Sequence, residues 1–329
     1  MPTTNYYPSN LQWVGAAKEV TYGTAISAPT FWIPVDSPKW SPKINPLTDQ
    51  ATRGLMGMDY QQVAGMRYDE LTYKTYMYMD SVYQHLIATF GGPDTITGSS
   101  DPWTHKTSLY NGSGTNGAQP PSYTLFYTDA AGKSWQMPGC MIVTNKLDVK
   151  VDELDTMEIT WNGMPATPIT IPTNTPTTAK PMPAWNSIIT IGGAATSAFS
   201  EVSLEYKRDT KALNTMNNTQ SPLAIYSGAF SVAGSLTAVY QGSTDVNLVD
   251  YLTNVQPPLT VKLAPVGDAV HSLTLQHSVV AYDDASPQGS GDWMEVSATV
   301  KALMNATDAL DSKQSPGQVV FLNAAATAF

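Results

Sequence analysis

The sequence predicts a mainly β protein made of two tandem domains, each a β-sandwich or partial barrel with one short flanking α-helix. Apolar and polar residues alternate along most of the chain, and only two segments have the period of a helix. The predicted elements also occur in the same order on both sides of a proline-rich stretch. At 329 residues, with 42% hydrophobic residues, the chain is long enough for two ordinary domains with a core.

Strict alternation identifies the strands. Around residues 143–151, Val and Leu alternate with Thr, Lys and Asp, and the segments 230–240, 273–279 and 294–302 alternate in the same way. Side chains along a strand point to opposite faces in turn. Each segment is therefore predicted to bury one face and to turn the other towards water or a partner.

The first helix is predicted over residues 80–90. Val82, Leu86, Ile87 and Phe90 share one face of it. Asp80 is the predicted N-cap, and Gly91 is predicted to end the helix in a left-handed conformation.

The second helix is predicted over residues 244–255. Ser243 or Thr244 is the predicted N-cap, and the Pro257-Pro258 pair ends the helix. The apolar residues at helical spacing, which are expected to form its buried stripe, are Leu248, Val249, Leu252 and Val255.

Residues 166–184 are rich in Pro and Thr and are predicted to be an extended linker between domains at 1–165 and 185–329. In each domain the order is strand, helix, strand, turn, strand, turn, strand, which predicts a duplication. Each half carries a formal charge of −5, which fits this interpretation. An insertion at 92–121 in the first copy and a long final turn at 283–292 in the second are both predicted to be loops.

Charged residues make up only 13% of the chain, about half the usual share in a soluble domain. A surface covered largely by Thr, Ser, Asn, Gln and Gly suits a subunit enclosed by neighbours, although a secreted β protein would have a similar composition. The net charge of −10 disfavours a protein that holds nucleic acid by neutralising phosphates.

Cys140 is the only cysteine, so the fold cannot depend on an internal disulfide. The N-terminus lacks a basic segment followed by an apolar run, and no stretch approaches the roughly 18 apolar residues of a membrane span. We therefore expect no signal peptide and no membrane association, with assembly in a reducing cytoplasm.

No catalytic constellation is visible. The histidines are His85, His105, His271 and His277, and none belongs to a zinc-binding or catalytic motif. Walker-type loops and nucleophile elbows are absent as well. The sequence thus predicts no enzyme, no cofactor and no metal site, with Cys140 and His85 as core residues.

Two other features allow more than one interpretation. Asp148, Asp152, Glu153, Asp155 and Glu158 make an acidic turn, which is typical of a solvated hairpin tip but could also suit a carboxylate pair or Ca²⁺. The aromatics could stack on sugars, although such spacings are more typical of cores and interfaces; they are Tyr73, Tyr76, Tyr78, Trp13, Trp32 and Trp40.

Several segments stand out, in this order: Gly15–Thr24 (GAAKEVTYGT), Phe31–Val35 (FWIPV), Arg53-Gly54, His85–Gly92 (HLIATFGG) and the second-half stretch from Ser221 to Gly234. Taken together they resemble the tail-tube proteins of long-tailed bacteriophages. The resemblance covers most of the chain, apart from the insertion at 92–121. It implies the duplicated-domain type of the major tail-tube protein, a structural part of the virion tail.

The resemblance also implies an assembly. Members form rings that stack into a hollow tube through which genomic DNA is ejected, and a chain with two copies would form a trimer with pseudo-sixfold symmetry. The implied partners are other copies of the chain, the tape-measure protein, the transiting DNA without specific binding, and the tail terminator and distal tail proteins.

Polar faces of the long strands are the candidate channel lining, because a polar and net negative wall would not hold DNA. The candidate lumen-facing residues are Thr144, Lys146, Asp148, Lys150, Thr274, Gln276 and Ser278. Alternative functions are another virion structural role, such as capsid decoration or head–tail completion, and a carbohydrate-binding β-sandwich adhesin.

Overall fold

A computed structural model describes residues 6–112, 118–311 and 313–329. Residues 1–5 and part of the predicted 92–121 insertion lie outside these residues. The strands are β1 (Trp13–Lys18), β2 (Phe31–Ile33), β3 (Asp36–Asp49), β4 (Gln61–Tyr76), β5 (Thr95–Thr97), β6 (Trp103–Ser108), β7 (Tyr123–Thr128), β8 (Ser134–Lys150), β9 (Thr156–Gly163), β10 (Thr167–Ile169), β11 (Ile188–Ile191), β12 (Ala194–Thr196), β13 (Phe199–Leu213), β14 (Ala224–Val239), β15 (Leu259–Leu263), β16 (Ser272–His277), β17 (Val280–Gly289), β18 (Met294–Ala302) and β19 (Gln318–Asn323).

The described residues contain two α-helices, α1 (Val82–Phe90) and α2 (Val246–Thr253). The mainly β class with one short helix per half is confirmed. Gly91 ends α1 with φ 78°, as predicted, but the predicted cap Asp80 lies outside the helix and Ser81 is the N-cap residue. For α2 the predicted caps Ser243 and Thr244 are wrong, because they form a preceding 3-10 turn.

Asp245 caps α2 instead. Its carboxylate accepts hydrogen bonds from the backbone N–H groups of Asn247 and Leu248, the usual role of an N-cap side chain. At the other end, Asn254 adopts the left-handed conformation with φ 54°, so α2 stops before Pro257.

One long sheet runs through both halves of the chain. Its strand order is β3-β4-β9-β8-β13-β14-β18-β17, and every neighbouring pair is antiparallel. The first half supplies the first four strands and the second half the last four. Pairing of β8 with β13 joins the two groups.

Smaller sheets lie beside the long one. In the first half, β2, β1 and β7 follow one another and pair through β7 with the N-terminal part of β8, which also pairs with β10. In the second half the order is β12-β11-β15-β16-β19, extended by β6 and β5 from the first half. The sheets are open, as expected for a sandwich.

The two halves repeat the same pairing in the same register. Seven of the eight residue pairs of β4–β9, all except Asp69–Gly163, have a counterpart in β14–β18, displaced by a constant number of residues along each strand. The corresponding pairs are Thr72–Thr160 and Ser235–Thr299, Lys74–Glu158 and Thr237–Ser297, and Tyr76–Thr156 and Val239–Glu295. A constant displacement also relates β8–β10 to β16–β19, and β7–β8 to β15–β16 apart from the Tyr123–Cys140 pair, which lies beyond a register shift.

Irregularities repeat as well. The β8–β9 register shifts between Ile142 and Thr144, and the β17–β18 register shifts at the corresponding place, between Tyr282 and Asp284. The shift between Ile44 and Pro46 in β3 likewise corresponds to that between Arg208 and Thr210 in β13. Bulges are specific features of a fold, so this correspondence supports a similarity of the two halves more strongly than the matching order of elements does.

A single hydrophobic cluster contains residues from both halves, including Leu71, Trp161, Leu204 and Leu273. The 166–184 segment is not only a spacer, because β10 lies in it and Leu154 forms an isolated bridge with Pro183. The division at 165 and 185 therefore stays a prediction.

Two predicted loops contain strands. The 92–121 insertion forms β5 and β6, which extend the second-half sheet. Residues 283–289 of the predicted final turn belong to β17, where Ala285 is buried and the flanking residues are exposed. The polar sequence of β17 indicated a loop because only one neighbour covers this strand.

Candidate functional site: the polar face and the open edges of the long sheet

One face of the long sheet is polar, and we name it the polar face. One row across it alternates in charge: Asp36, Lys74, Glu158, Lys146 and Glu205 lie opposite one another on five successive strands. Opposite charges on neighbouring strands attract, and this row sets no two like charges opposite each other.

The four candidate residues on β8 lie on the polar face. Lys146 and Lys150 are exposed, and Thr144 and Asp148 are half-buried. Asp148 accepts a hydrogen bond from Ser203 Oγ at 2.6 Å and lies 3.0 Å from Lys146 Nζ. These contacts keep the carboxylate at the surface of the sheet.

The structure does not bring the other three candidates to this face. Thr274 and Gln276 lie on β16 in the second sheet, and the Ser278 hydroxyl, just after β16, donates to Asp308 at 2.6 Å. By register, the β17 residues that correspond to Thr144, Lys146 and Asp148 are Asp284, Ser286 and Gln288. All three are exposed. The chain leaves the strand at residues 278–279, which the sequence did not indicate. This break separates Thr274 and Gln276 on β16 from Asp284, Ser286 and Gln288 on β17.

Charges on the polar face nearly balance: nine acidic residues and seven lysines lie on it, besides the ion pair of Asp209 and Lys211 farther along β13. The acids are Asp36, Glu70, Asp148, Glu158, Glu201, Glu205, Asp283, Asp284 and Glu295, and the lysines are Lys39, Lys43, Lys74, Lys146, Lys150, Lys207 and Lys301. No run of cations is available along the described part of this face to hold a phosphate backbone.

The long sheet ends in two open edges. Among the described residues β3 pairs only with β4, and β17 pairs only with β18. Open edges present unpaired N–H and C=O groups to a further strand. Here β3 carries Pro38, Pro42 and Pro46 and β17 carries Pro287, which blunt both edges.

Inside the chain, β8 and β13 form a closed junction, which we name the linked junction. Arg208 on β13 is 3% exposed, and its guanidinium donates to the carbonyls of Thr89 and Phe90 at 2.7 Å each. These are orphan carbonyls at the C-terminus of α1. Burial lowers the pKa of Arg208 to about 10, so it remains charged at neutral pH.

The two helices differ in cover. Aligned on Gly91 and Asn254, the α1 residues Tyr83, Leu86 and Thr89 correspond to Val246, Val249 and Leu252 of α2. The three α1 residues are at most 1% exposed, whereas Leu252 is 72% exposed. The predicted apolar stripe of α2 is therefore present but largely uncovered, which corrects the expectation that it faces the core.

His85 and Cys140, two reactive residue types considered from the sequence, are both core residues. His85 is buried, donates from Nδ1 to the Ser81 carbonyl at 2.9 Å and accepts from the Tyr73 hydroxyl at Nε2 at 3.0 Å. Burial lowers the pKa of His85 to about 4 and raises that of the buried thiol of Cys140. No group of three metal-ligating side chains occurs in the described ranges.

The acidic turn is not gathered into one cleft. Asp152 and Glu153 are exposed in the turn itself, whereas Asp155 is completely buried and neither carboxylate oxygen has a hydrogen-bond partner. Burial raises the pKa of Asp155 to about 7.

The aromatic residues mostly pack on one another. Trp13 and Trp32 meet edge to face at 4.8 Å, Trp40 lies 4.9 Å from Trp135, and Tyr73 is buried. Tyr76, by contrast, is 45% exposed and Tyr78 is half-buried, so the six positions do not present a continuous row of exposed rings for a sugar to stack on.

Comparison with known proteins settles the family. The sequence model described as phage tail tube protein matches residues 10–302, nearly the whole chain. The chain belongs to the phage tail tube protein family. A search of curated proteins finds no significant match.

This tail tube protein is thus a structural component of the virion tail, and the predicted family is confirmed. Membership of a structural family supports the prediction that the chain is not an enzyme. None of the described helices has the length and apolar character needed to cross a bilayer.

Proposed function

We propose that this tail tube protein forms closed rings that stack into the hollow tail tube, through which the genome is ejected. The observation that carries the proposal is the long sheet, which is polar on one face and open at both ends. A ring closed through those edges is heterologous and cyclic, so every subunit uses the same two surfaces.

The polar face would line the channel. Its balanced, alternating charges give DNA phosphates no cationic track, and the excess of acids repels them within about 8 Å at physiological salt. The lining would include Thr144, Lys146, Asp148 and Lys150, with Asp284, Ser286 and Gln288 in the second half. Thr274, Gln276 and Ser278 would not belong to it.

The ring is proposed to be a trimer with pseudo-sixfold symmetry. The repeated register supports a duplication, with copies at 1–165 and 185–329, so three chains would place six similar units around the axis. In the finished tail the tube would enclose the tape-measure protein and meet the terminator and distal tail proteins at its ends.

Ring stacking is proposed to use the tip of the β3–β4 hairpin. Leu55, Met56 and Met58 lie there and are at least 70% exposed. Large exposed apolar side chains at one projecting tip favour contact with another protein, here a subunit of the adjacent ring.

Electron microscopy of the purified, concentrated protein tests the proposal. We expect rings or hollow tubes, with three subunits per ring in averaged end views. A protein that stays monomeric at every concentration in analytical ultracentrifugation would contradict it.

The channel assignment has its own test. Asp148→Lys should leave tubes intact but retard DNA passage, measured as DNA release from particles carrying the variant. Unchanged release would count against Asp148 as a lining residue.

A further inference from the structure

The linked junction of β8 and β13 gives a template for contact between subunits. β17 corresponds to β8, and β3 corresponds to β13, yet in the free chain both β17 and β3 lack an outer neighbour among the described residues. We propose that β17 of one subunit pairs antiparallel with β3 of a second copy, in the register by which β8 pairs with β13. This inference rests on the proposed ring assembly.

The register follows from shared partners. Inside the chain Lys146 lies opposite Glu205. Ser286 takes the place of Lys146, because it pairs with Ser297 as Lys146 pairs with Glu158. Ser41 takes the place of Glu205, because it pairs with Glu70 as Glu205 pairs with Ala233. Ser286 therefore lies opposite Ser41 of the second copy.

Two neighbouring pairs follow from the same correspondence. Lys207 opposite Thr144 becomes Lys43 opposite Asp284, and Ser203 opposite Asp148 becomes Lys39 opposite Gln288. Asp284 and Lys43 carry opposite charges, so the transferred register forms a cross-strand ion pair. Neither of these pairs sets two like charges opposite each other.

The prolines are compatible with this register and restrict it. β3 has only one neighbour in the described structure, β4, so the N atom of Pro42 faces the open edge. In the proposed register Pro42 lies opposite Ala285, and Pro287 lies opposite Trp40. Each such pair keeps one ladder bond, from the N–H of Ala285 or Trp40 to the carbonyl of the proline. A register that set proline against proline would keep none.

The same template covers Leu252, the most exposed residue of the α2 stripe. In the linked junction Arg208 reaches the C-terminal carbonyls of α1 at Thr89 and Phe90. The corresponding residue of β3 is Ile44, which is 49% exposed, and Leu252 corresponds to Thr89. Ile44 of the second copy thus packs on Leu252, and an apolar contact replaces the polar cap.

Disulfide trapping tests the register. Ser41 and Ser286 form a non-hydrogen-bonded pair, in which Cβ atoms lie about 4.5–5.5 Å apart, close to disulfide reach. The double variant Ser41→Cys/Ser286→Cys, oxidised after assembly, should give covalently closed rings on a non-reducing gel. The native Cys140 is buried and should not react.

Two controls are matched to it. Lys146→Cys/Glu205→Cys places cysteines at the same positions of the linked junction and should give an internal disulfide in the monomer. Ser41→Cys/Gln288→Cys moves one partner by two residues on the same face, where the Cβ distance of about 7–8 Å prevents efficient bonding. We expect at least about ten times less cross-linking from it than from Ser41→Cys/Ser286→Cys.

The outcomes separate the two proposals. Rings that form normally, with an internal disulfide in the linked-junction control but no cross-link between positions 41 and 286, would overturn the junction and leave ring assembly standing. Preferred cross-linking of the displaced pair would overturn the register. Failure of the unmodified protein to form any ring would overturn the proposed function and the junction together.

Discussion

The two helices follow corresponding strands and end at corresponding left-handed residues, but their surroundings differ. α1 is enclosed by β6, β8 and β13, and Arg208 from the second half seals its C-terminus. α2 packs mainly on β17 and leaves Leu252 exposed. Part of the cover of α1 comes from β13 of the same chain, whereas for α2 the proposed junction supplies the corresponding strand, β3, from a second copy.

This difference between α1 and α2 separates contacts that stabilise the monomer from apolar side chains that can contribute to assembly. A contact within one chain forms at high effective concentration, so even a buried charge with carbonyl partners can be kept there. A surface that will contact another subunit is exposed to water before assembly, so the free subunit must remain soluble. A few exposed Val and Leu side chains are compatible with that solubility. Variants that break either the β8–β13 junction or the proposed β17–β3 contact should therefore affect different properties, monomer stability in the first case and assembly in the second.

The largest effect is expected at the linked junction. Arg208→Ala removes two charged hydrogen bonds and leaves the Thr89 and Phe90 carbonyls unsatisfied, which should lower the free energy of unfolding by about 3 kcal/mol. Urea denaturation of the monomer measures it. Lys207→Ala, exposed on the same strand, is the control and should change stability by less than about 0.5 kcal/mol. Equal effects would show that Arg208 does not seal the junction.

A second contrast lies at the start of β9 and β18. Asp155 is buried without partners for its carboxylate, whereas the corresponding residue, Met294, is half-exposed. Burial raises the pKa of Asp155 from 3.8 to about 7. The folded state therefore retains a proton that the unfolded state loses near pH 4, and stability falls as pH rises from about 4 to about 7.

Asp155→Asn removes this titration. At pH 8 the variant should be more stable than the parent by about 2 kcal/mol, against a ceiling of about 4 kcal/mol from the full pKa difference, while near pH 4 the two should be similar. Thermal unfolding at both pH values measures it. A stability difference that does not change with pH would contradict the burial of a titrating carboxylate.

The proposed contact between β17 of one subunit and β3 of a second copy, which we name the open junction, can be broken without changing the monomer. Leu252→Asp puts a charge where Ile44 of the second copy should pack, so each junction should weaken by at least about 1.4 kcal/mol, a factor of about ten in association. Light scattering follows assembly, and circular dichroism checks the monomer. Ser243→Asp, on the exposed turn before α2, should assemble normally; loss of assembly in both variants would point to a general charge effect.

Periodicity predicted most of the long sheet, but it did not distinguish a core from an interface. The alternation in β8 and β18 marked real strands, and the stripe of α2 was equally regular although most of it is exposed. β17 was missed because a strand with one neighbour can be polar on both sides of its backbone. β13 could have been found, since Val202, Leu204 and Tyr206 alternate with Ser203, Glu205 and Lys207.

The candidate lining was predictable only in part, for a related reason. The β8 residues lie on the polar face because β8 runs unbroken into the long sheet. Thr274 and Gln276 lie on the corresponding strand, but before the break at Ser278, and so belong to the second sheet. A sequence pattern gives the face of a strand and cannot give the sheet that the strand joins.

The smallest expected effect concerns the proposed ion pair of Lys43 and Asp284 in the open junction. The linked junction has no such pair at this position, because Lys207 lies opposite the uncharged Thr144. Asp284→Lys should weaken each junction by about 0.5 kcal/mol, because it places a second positive charge opposite Lys43 of the neighbouring copy. Lys43→Glu/Asp284→Lys restores opposite charges and should recover assembly, even though it removes the 3.0 Å contact of Lys43 with Glu70. Raising the salt concentration should shrink the difference between the single variant and the parent. If the double variant assembles no better than Asp284→Lys, residues 43 and 284 are not opposite each other, and the junction uses another register.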